Sequence, residues 1–421
     1  MMRDDEIVIS AFGCITPLGN SYDQIKYALQ AGISGIKENK KFNCKDYVIK
    51  HAGIPDEGNE KIQWSSTSKN IVGEMFYADY AAKNLVNHPN YPSNFYEPQR
   101  IGCIVGVDEP AADLRLCFNM FSETNASNLM YDKLVNNIRL GEYINHEPTT
   151  VLNTIYKHIP FTGYANCHMG LCSASLQAIG MGVRAIQRGT IDAAVVGGVS
   201  GKVNPINLAR LELVGAISLD VNFAPHERSR PFDKLRSGFV LAEGGVLFLL
   251  EKRSNVEKRK VDPLLKILGY GTSLSAQHIV IPHTESLEME LCMYRAIRDA
   301  KIDVKQIDVV NAHGTSTILN DLHESKAINT VFGKLNNSVK VVANKSQHGH
   351  LIAAAGAMEV LNTLISINEN FIPGTINVDN QDKSCNVNIV KKTEYDVHTS
   401  VVLKNSFGMG GLAASMILGK V

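Results

Sequence analysis

Three short segments carry residue types that could do chemistry together: Leu171-Cys172-Ser173-Ala174-Ser175, Asn311-Ala312-His313-Gly314-Thr315-Ser316-Thr317 and Asn344-Lys345-Ser346-Gln347-His348-Gly349-His350. In each, an apolar run gives way to small residues and then to a helical pattern, so each reads as a strand-to-helix junction. The junctions bear a thiol, an imidazole, and an imidazole beside an amine. That set suits thioester chemistry, in which the thiol takes an acyl group and the imidazoles hold or polarise a carbonyl oxygen.

Each part alone has a plainer explanation. A lone cysteine in an apolar run is most often a buried structural thiol. A histidine in a turn rich in Gly, Ser and Thr is as readily a satisfied residue of a capped turn, and a lone lysine is by default solvated. The three motifs together shift the reading to a site. Cys172 opens a helix, where the positive end of the macrodipole is expected to lower a thiol pKa by roughly a unit or more. Ser173, Ala174 and Ser175 are small, as a tight nucleophile-bearing turn requires. Thr315 and Thr317 offer hydroxyls to a polar, amide-bearing ligand arm. Lys345, in an apolar context, calls for a carboxylate, and Asp321 and Glu324 in the helix after the His313 turn are the candidates. His348 reads as structural or loop-exposed.

Cys167-His168 and His348-x-His350 look like metal-ligand pairs. No Cys-rich cluster completes a closed zinc set, however, and no carboxylate-flanked His pair lies on one helix, so no metal is expected. The run Asn405-Ser406-Phe407-Gly408-Met409-Gly410-Gly411 lacks the Lys-Ser/Thr of a phosphate-binding loop and the setting of a dinucleotide fingerprint. It reads better as a flexible loop whose backbone N–H groups approach the thiol. No cofactor is expected.

The elements that must position these residues alternate. Strand patterns at 7–12, 101–107, 193–197, 245–251, 309–310, 339–343 and 400–403 are separated by helical ones. In the helix predicted over 172–188, Leu176, Ile179, Val183 and Ile186 share a face and Gly189 ends it. Others are predicted over about 321–332 and 350–368, the latter opening on Ala353-Ala354-Ala355-Gly356-Ala357, small enough to pack against another backbone. Alternation of this kind argues for α/β layers. A charged segment at 251–260 reads as a seam, giving an N-terminal unit 1–255 with Cys172 and a C-terminal unit 256–421 with His313 and His350. Residues 36–96 are polar and irregular and read as a surface insertion.

Composition narrows the function classes. Lys+Arg and Asp+Glu both number 42, so the formal net charge is zero and no nucleic-acid partner is expected. No apolar stretch approaches the roughly 20 residues of a membrane span, and no signal peptide is visible. Eight scattered cysteines read as reduced thiols of a cytoplasmic protein.

From about residue 163 to the C-terminus the chain resembles a chain-elongating β-ketoacyl-acyl carrier protein synthase, a ketosynthase of the thiolase superfamily. Besides the three junctions, the resemblance rests on Ser229-Arg230-Pro231-Phe232-Asp233, Gly238-Phe239-Val240-Leu241-Ala242-Glu243, Asp321, Glu324 and Asn405-Ser406-Phe407-Gly408; Thr16-Pro17-Leu18-Gly19-Asn20 fits too, and residues 30–160 match poorly. It implies a thiolase-like fold of two similar βαβ halves layered α-β-α-β-α. It further implies that Cys172 accepts an acyl chain from an acyl carrier protein, while His313 and His350 bind the malonyl thioester carbonyl. Lys345 and Glu324 would form a supporting charged pair, Thr315 and Thr317 would bond the phosphopantetheine arm, and the amides of Cys172 and Met409 would make the oxyanion hole. Phe407, Gly408, Met409 and Gly410 would form the acyl gate.

The partner would be a like chain or a chain-length-factor-like subunit. Two histidines, rather than His with Asn, mark the elongating type, and the retained Cys172 sets the chain apart from inactive chain-length partners. Met409 replaces the usual gating aromatic, Leu412-Ala413 replaces Thr-Asn, Ser237 stands where an acid is common, and Asp108-Glu109-Pro110 replaces a Gly-rich stretch. These departures favour a type II polyketide subunit over a housekeeping fatty-acid enzyme. A non-catalytic partner that only shapes a neighbour's cavity is the rival from another class.

Overall fold

In the computed structural model, residues 6–56, 73–109, 147–278, 280–335 and 338–421 are described. Ten strands form the central sheet: β1 (Ile7–Ile15), β2 (Ile101–Gly106), β3 (Ala165–His168), β4 (Ala193–Ser200), β5 (Gly244–Lys252), β6 (Leu265–Leu274), β7 (Val309–Asn311), β8 (Lys340–Val342), β9 (Val401–Phe407) and β10 (Leu412–Gly419). Their spatial order is β8-β7-β9-β10-β6-β1-β5-β4-β2-β3. Read outward from the middle, the first half runs 1-5-4-2-3 and the second runs 6-10-9-7-8, the same order with five added. The sense of pairing repeats as well. β1–β5 and β5–β4 are antiparallel while β4–β2 and β2–β3 are parallel, and the matching pairs of the second half follow suit. Within the sheet the halves join at β1 and β6, paired at Ile7 with Ile267, Val8 with Lys266 and Ile9 with Leu265.

Five helices matter to the site: α1 (Gly73–Val86), α2 (Ala174–Gln187), α3 (Leu287–Ala300), α4 (Ile318–Phe332) and α5 (Ala355–Asn368). α1 covers β1 and β5, and α3 covers β6 and β10 in the equivalent place. α2 and α5 pack on each other in the middle layer. The face predicted for α2 is buried, with Leu176, Ile179, Val183 and Ile186 all at most 3 % exposed. Its other faces are lined by small residues because protein surrounds it on every side. The close approach expected of the Ala353–Ala357 stretch is present: a Cβ on Gly356 would lie 2.9 Å from Leu176 Cβ. On the sheet side, a Cβ on Gly106 would lie 2.4 Å from the Ser175 nitrogen, so only glycine lets the start of α2 seat on β2.

The described parts of 36–96, residues 36–56 and 73–96, are not a surface insertion; 57–72 lie outside the described residues. α1 buries Tyr77, Ala78, Ala81, Ala82 and Leu85 against the sheet, each large apolar side chain worth about 1.5–3 kcal/mol. Tyr77 Oη donates to Glu243 Oε1 at 2.6 Å, and Lys41 Nζ pairs with the same oxygen at 2.6 Å, tying this region to the 238–243 motif. The Gly-rich end is likewise no free loop. It is the β9–β10 connection, a short turn at Met409–Gly411 with Gly410 and Gly411 at φ +81° and +79°. Among the described residues no helix is long and apolar enough to cross a membrane.

Candidate active site

Cys172 sits in a single 3-10 turn, Leu171–Ser173, immediately before α2. His350 is followed by the equivalent turn, Ile352–Ala354, immediately before α5. The first residue of each turn holds a positive φ, +50° at Leu171 and +41° at Ile352. For bulky residues this costs on the order of 1–3 kcal/mol, held in place by the packed middle layer. Two equivalent features of the two halves thus bring a thiol and an imidazole together. His313 follows β7 and completes the group.

The Cys172 sulfur and one ring nitrogen each of His313 and His350 lie within 4.8 Å of one another. The imidazoles are edge to face, with centroids 5.3 Å apart, and Phe239 and Phe407 pack edge-on against His350 and His313. All three reactive groups are buried, and they line a cavity of about 470 Å³ together with Thr315, Thr317 and Met409.

The histidine tautomers follow from their partners. Ile352 N–H donates to His350 Nδ1 at 3.1 Å, so the ring proton sits on Nε2, which has no partner. Lys345 Nζ lies 3.1 Å from His313 Nδ1; an ammonium has only donors, so His313 too carries its proton on Nε2. Burial first, and then the Lys345 charge, hold both imidazoles well below the usual histidine range. Both are therefore neutral N–H donors. The three groups could hold a soft cation by distance, but Lys345 and Lys404 oppose added positive charge there.

Lys345 does not pair with Glu324 or Asp321. Its ammonium lies 2.5 Å from Glu359 Oε1 on α5 and donates to the His313 carbonyl at 2.7 Å. Burial pushes the Glu359 carboxyl up, but Lys345 and Lys404 outweigh it and hold it below the usual range. Glu324 instead accepts from the backbone N–H of His313 at 2.7 Å and of Gly314 at 2.8 Å, and from Asn405 Nδ2 at 3.2 Å. Asp321 does the same one step on, accepting from Thr315 and Ser316. Two acids on α4 thus clamp the preceding turn, and Glu324 positions His313 rather than pairing with the amine.

Thr315 and Thr317 hydroxyls are 2.9 Å apart, and Thr317 also caps α4. His348 is fully buried rather than loop-exposed; it contacts the Gly349 carbonyl, and burial pushes it down to about 4. Cys167 and His168 are engaged elsewhere, with the Pro148 carbonyl and Gln177.

The thiol departs from expectation. Burial pushes Cys172 up to about 12, against the pull of Lys345 and of the backbone N–H groups of Met409 and Cys172 itself. Its place beside a helix start does not overcome the dry surroundings. The two N–H groups aimed at the sulfur are the pair expected to form an oxyanion hole.

Known proteins resemble this chain along its whole length. Residues 4–255 match the family described as "Beta-ketoacyl synthase, N-terminal domain" and residues 264–379 match "Beta-ketoacyl synthase, C-terminal domain". The chain is 30% identical to the 3-oxoacyl-[acyl-carrier-protein] synthase 2 of Vibrio cholerae, with 99% of each chain covered, and 29% identical to that of Coxiella burnetii, with 100% of each covered. A solved structure described as "The ishigamide ketosynthase/chain length factor" superposes with a TM-score of 0.86 at 25% identity, covering 99% of both chains.

Proposed function

As a member of the beta-ketoacyl synthase family this chain is an acyltransferase of the ketosynthase kind, and we propose that it holds an acyl chain as a thioester on Cys172 and extends it with a malonyl group delivered by an acyl carrier protein. One observation carries this reading: His350, whose Nε2–H is unpartnered, lines one cavity with the thiol and His313, and the sulfur and a ring nitrogen of each histidine lie within 4.8 Å of one another.

The steps follow from the site's chemistry. Cys172 sulfur attacks the incoming thioester carbon; the new C–S bond forms as the bond to the carrier sulfur breaks, and the thiol proton passes to the departing carrier sulfur, so the carrier leaves as a thiol. Backbone N–H groups of Cys172 and Met409 hold the oxyanion. The malonyl thioester then enters with its carbonyl oxygen toward the two Nε2–H donors. Its C–C bond to the carboxylate breaks, carbon dioxide leaves, and the electron pair moves onto the carbonyl oxygen as an enolate. The enolate carbon attacks the Cys172 thioester, the sulfur leaves, and the extended chain remains on the carrier. Neutral histidines suit this work, since a charged imidazolium would risk protonating the enolate. Thr315 and Thr317 line the cavity where the arm's amides would pass.

We place the chain in type II polyketide synthesis. Support comes from Met409 at the gate, Leu412-Ala413 after it, and a buried Asp108 that accepts from Ser200 and Ala353 N–H. The names of the curated relatives favour fatty-acid elongation as the second reading. A chain-length-factor-like subunit or a second copy would be its dimer partner. The test is incubation with acyl-loaded carrier proteins followed by mass spectrometry. An acyl adduct on Cys172 that is chased to an extended product by malonyl-carrier protein, and absent from Cys172→Ala, is expected. Extension by the Cys172→Ala protein would refute the assignment.

A further inference from the structure

Lys404 lies in the interior of β9, between β7 and β10, with no exposure at all. Lysine is almost never fully buried unless paired. The register sets Lys404 opposite Asn311, the last residue of β7 before the His313 turn. Its ammonium lies 3.4 Å from each of the Asn311 and Ala312 carbonyls, donates to the Asn405 carbonyl, and is 2.7 Å from Glu359 Oε2. Three main-chain carbonyls and one carboxylate thus surround a single cation.

The other oxygen of that carboxylate holds Lys345 at 2.5 Å, and Lys345 in turn holds His313 Nδ1 at 3.1 Å. Resting on the condensing reading above, we propose that Lys404 is a positioning residue for decarboxylation: its ammonium anchors Glu359, so that Lys345 stays against His313 and the imidazole keeps its Nε2–H toward the substrate carbonyl.

Several charged groups face this ammonium. Glu359 comes from α5, Glu324 from α4, Lys345 and His348 and His350 from the 345–350 turn, and His313 from the end of β7. Glu359 takes two cations, Lys345 and Lys404, and both act on the catalytic imidazoles. Their charges help keep the imidazoles neutral, and they favour a decarboxylation that moves the malonyl carboxylate's negative charge onto the carbonyl oxygen. Oε2 of Glu359 accepts no hydrogen bond and has only the Lys404 charge beside it, so without Lys404 the carboxylate would face a single cation and Lys345 would lose its fixed seat.

The test measures carbon dioxide release from malonyl-carrier protein. Lys404→Met, which keeps length and removes charge, should lower kcat at least ~10-fold while KM stays within about twofold, the pattern of a lost transition-state interaction. Lys404→Ala should recover activity with added methylammonium and not with tetramethylammonium, which cannot donate a hydrogen bond. Should both variants fail to fold, the pH profile with Lys404 intact decides. Burial pushes Lys404 down to about 8, so activity in a Cys172→Ala background, free of the thiol's own titration, should fall as pH rises through that value. Undiminished kcat in Lys404→Met, a loss that methylammonium does not repair, or a profile level to about pH 10 would overturn the assignment. Absence of release from the wild-type chain would instead sink the condensing reading, and this assignment with it.

Discussion

Lys345 Nζ and Glu359 Oε1 lie 2.5 Å apart with neither side chain reaching solvent. A buried pair contributes little net stability, because desolvation offsets the attraction, but removing one partner strands a charge at a cost of about 3–5 kcal/mol. Glu359→Gln should therefore lower the unfolding free energy by that order and cut malonyl decarboxylation, with acyl loading of Cys172 less affected. Denaturant melts and carbon dioxide release measure the two effects. Unchanged stability would mean the pair is not the anchor described above.

His350→Ala removes a preorganised donor and should cost at least ~100-fold in decarboxylation, and His313→Ala should behave similarly. Normal release by either variant would show that its imidazole does not touch the carbonyl.

The same histidines predict acid behaviour. His313, His348 and His350 are held below their unfolded value of about 6.5. Below that pH the unfolded chain binds more protons than the folded one, so stability falls as pH drops, progressively toward the His348 value of about 4. Activity, in contrast, should show no inflection near 6.5. Melting curves and a decarboxylation profile from neutral to acid separate the two.

Much of this was legible in the sequence, and the failures have physical causes. The thiol and the two imidazoles stand at junctions that any reader of apolar runs and small residues can find. The carboxylates expected for Lys345, Asp321 and Glu324, follow the His313 turn closely, whereas its partner Glu359 sits in the run Ala357-Met358-Glu359-Val360-Leu361 and looks like one polar residue on a helix. In fact nearly all of α5 is buried, so a lone Glu there has to be paired. Lys404 was passed over because Leu403-Lys404-Asn405 reads as ordinary strand alternation; only the central place of β9 makes it a buried cation. β6 does not stand out in the sequence because Gly269 and Gly271, which let α3 pack closely, weaken its strand pattern.

Cys172 should react with a neutral electrophile in proportion to its thiolate fraction. With the thiol pushed up to about 12, iodoacetamide labelling of the resting protein should rise roughly tenfold per pH unit above neutrality. A plateau between about pH 7 and 9 would show that the helix start and Lys345 outweigh burial after all.

Met409 lines the cavity beside Cys172, on a turn whose two following glycines hold positive φ. An unbranched thioether adapts to its surroundings where an aromatic ring would not. Met409→Phe is expected to narrow the range of acyl lengths transferred from a series of loaded carrier proteins, while Cys172 keeps its reactivity to a small electrophile. Identical length profiles for variant and wild type would remove the main support for a polyketide role.

The site draws on both halves of the sheet, and that sets an order in time. Cys172 leaves the ribosome about 180 residues before His350, which at typical synthesis speeds is roughly 10–40 s. Strands β4 and β5 follow the nucleophile within that interval, His313 comes only late in it, and the β9–β10 turn whose N–H group meets the sulfur comes after it. The nascent thiol is then a bare cysteine beside a helix start, and it becomes dry and neutral only when the second half closes over it. Catalytic competence is thus the last property this chain acquires during its synthesis.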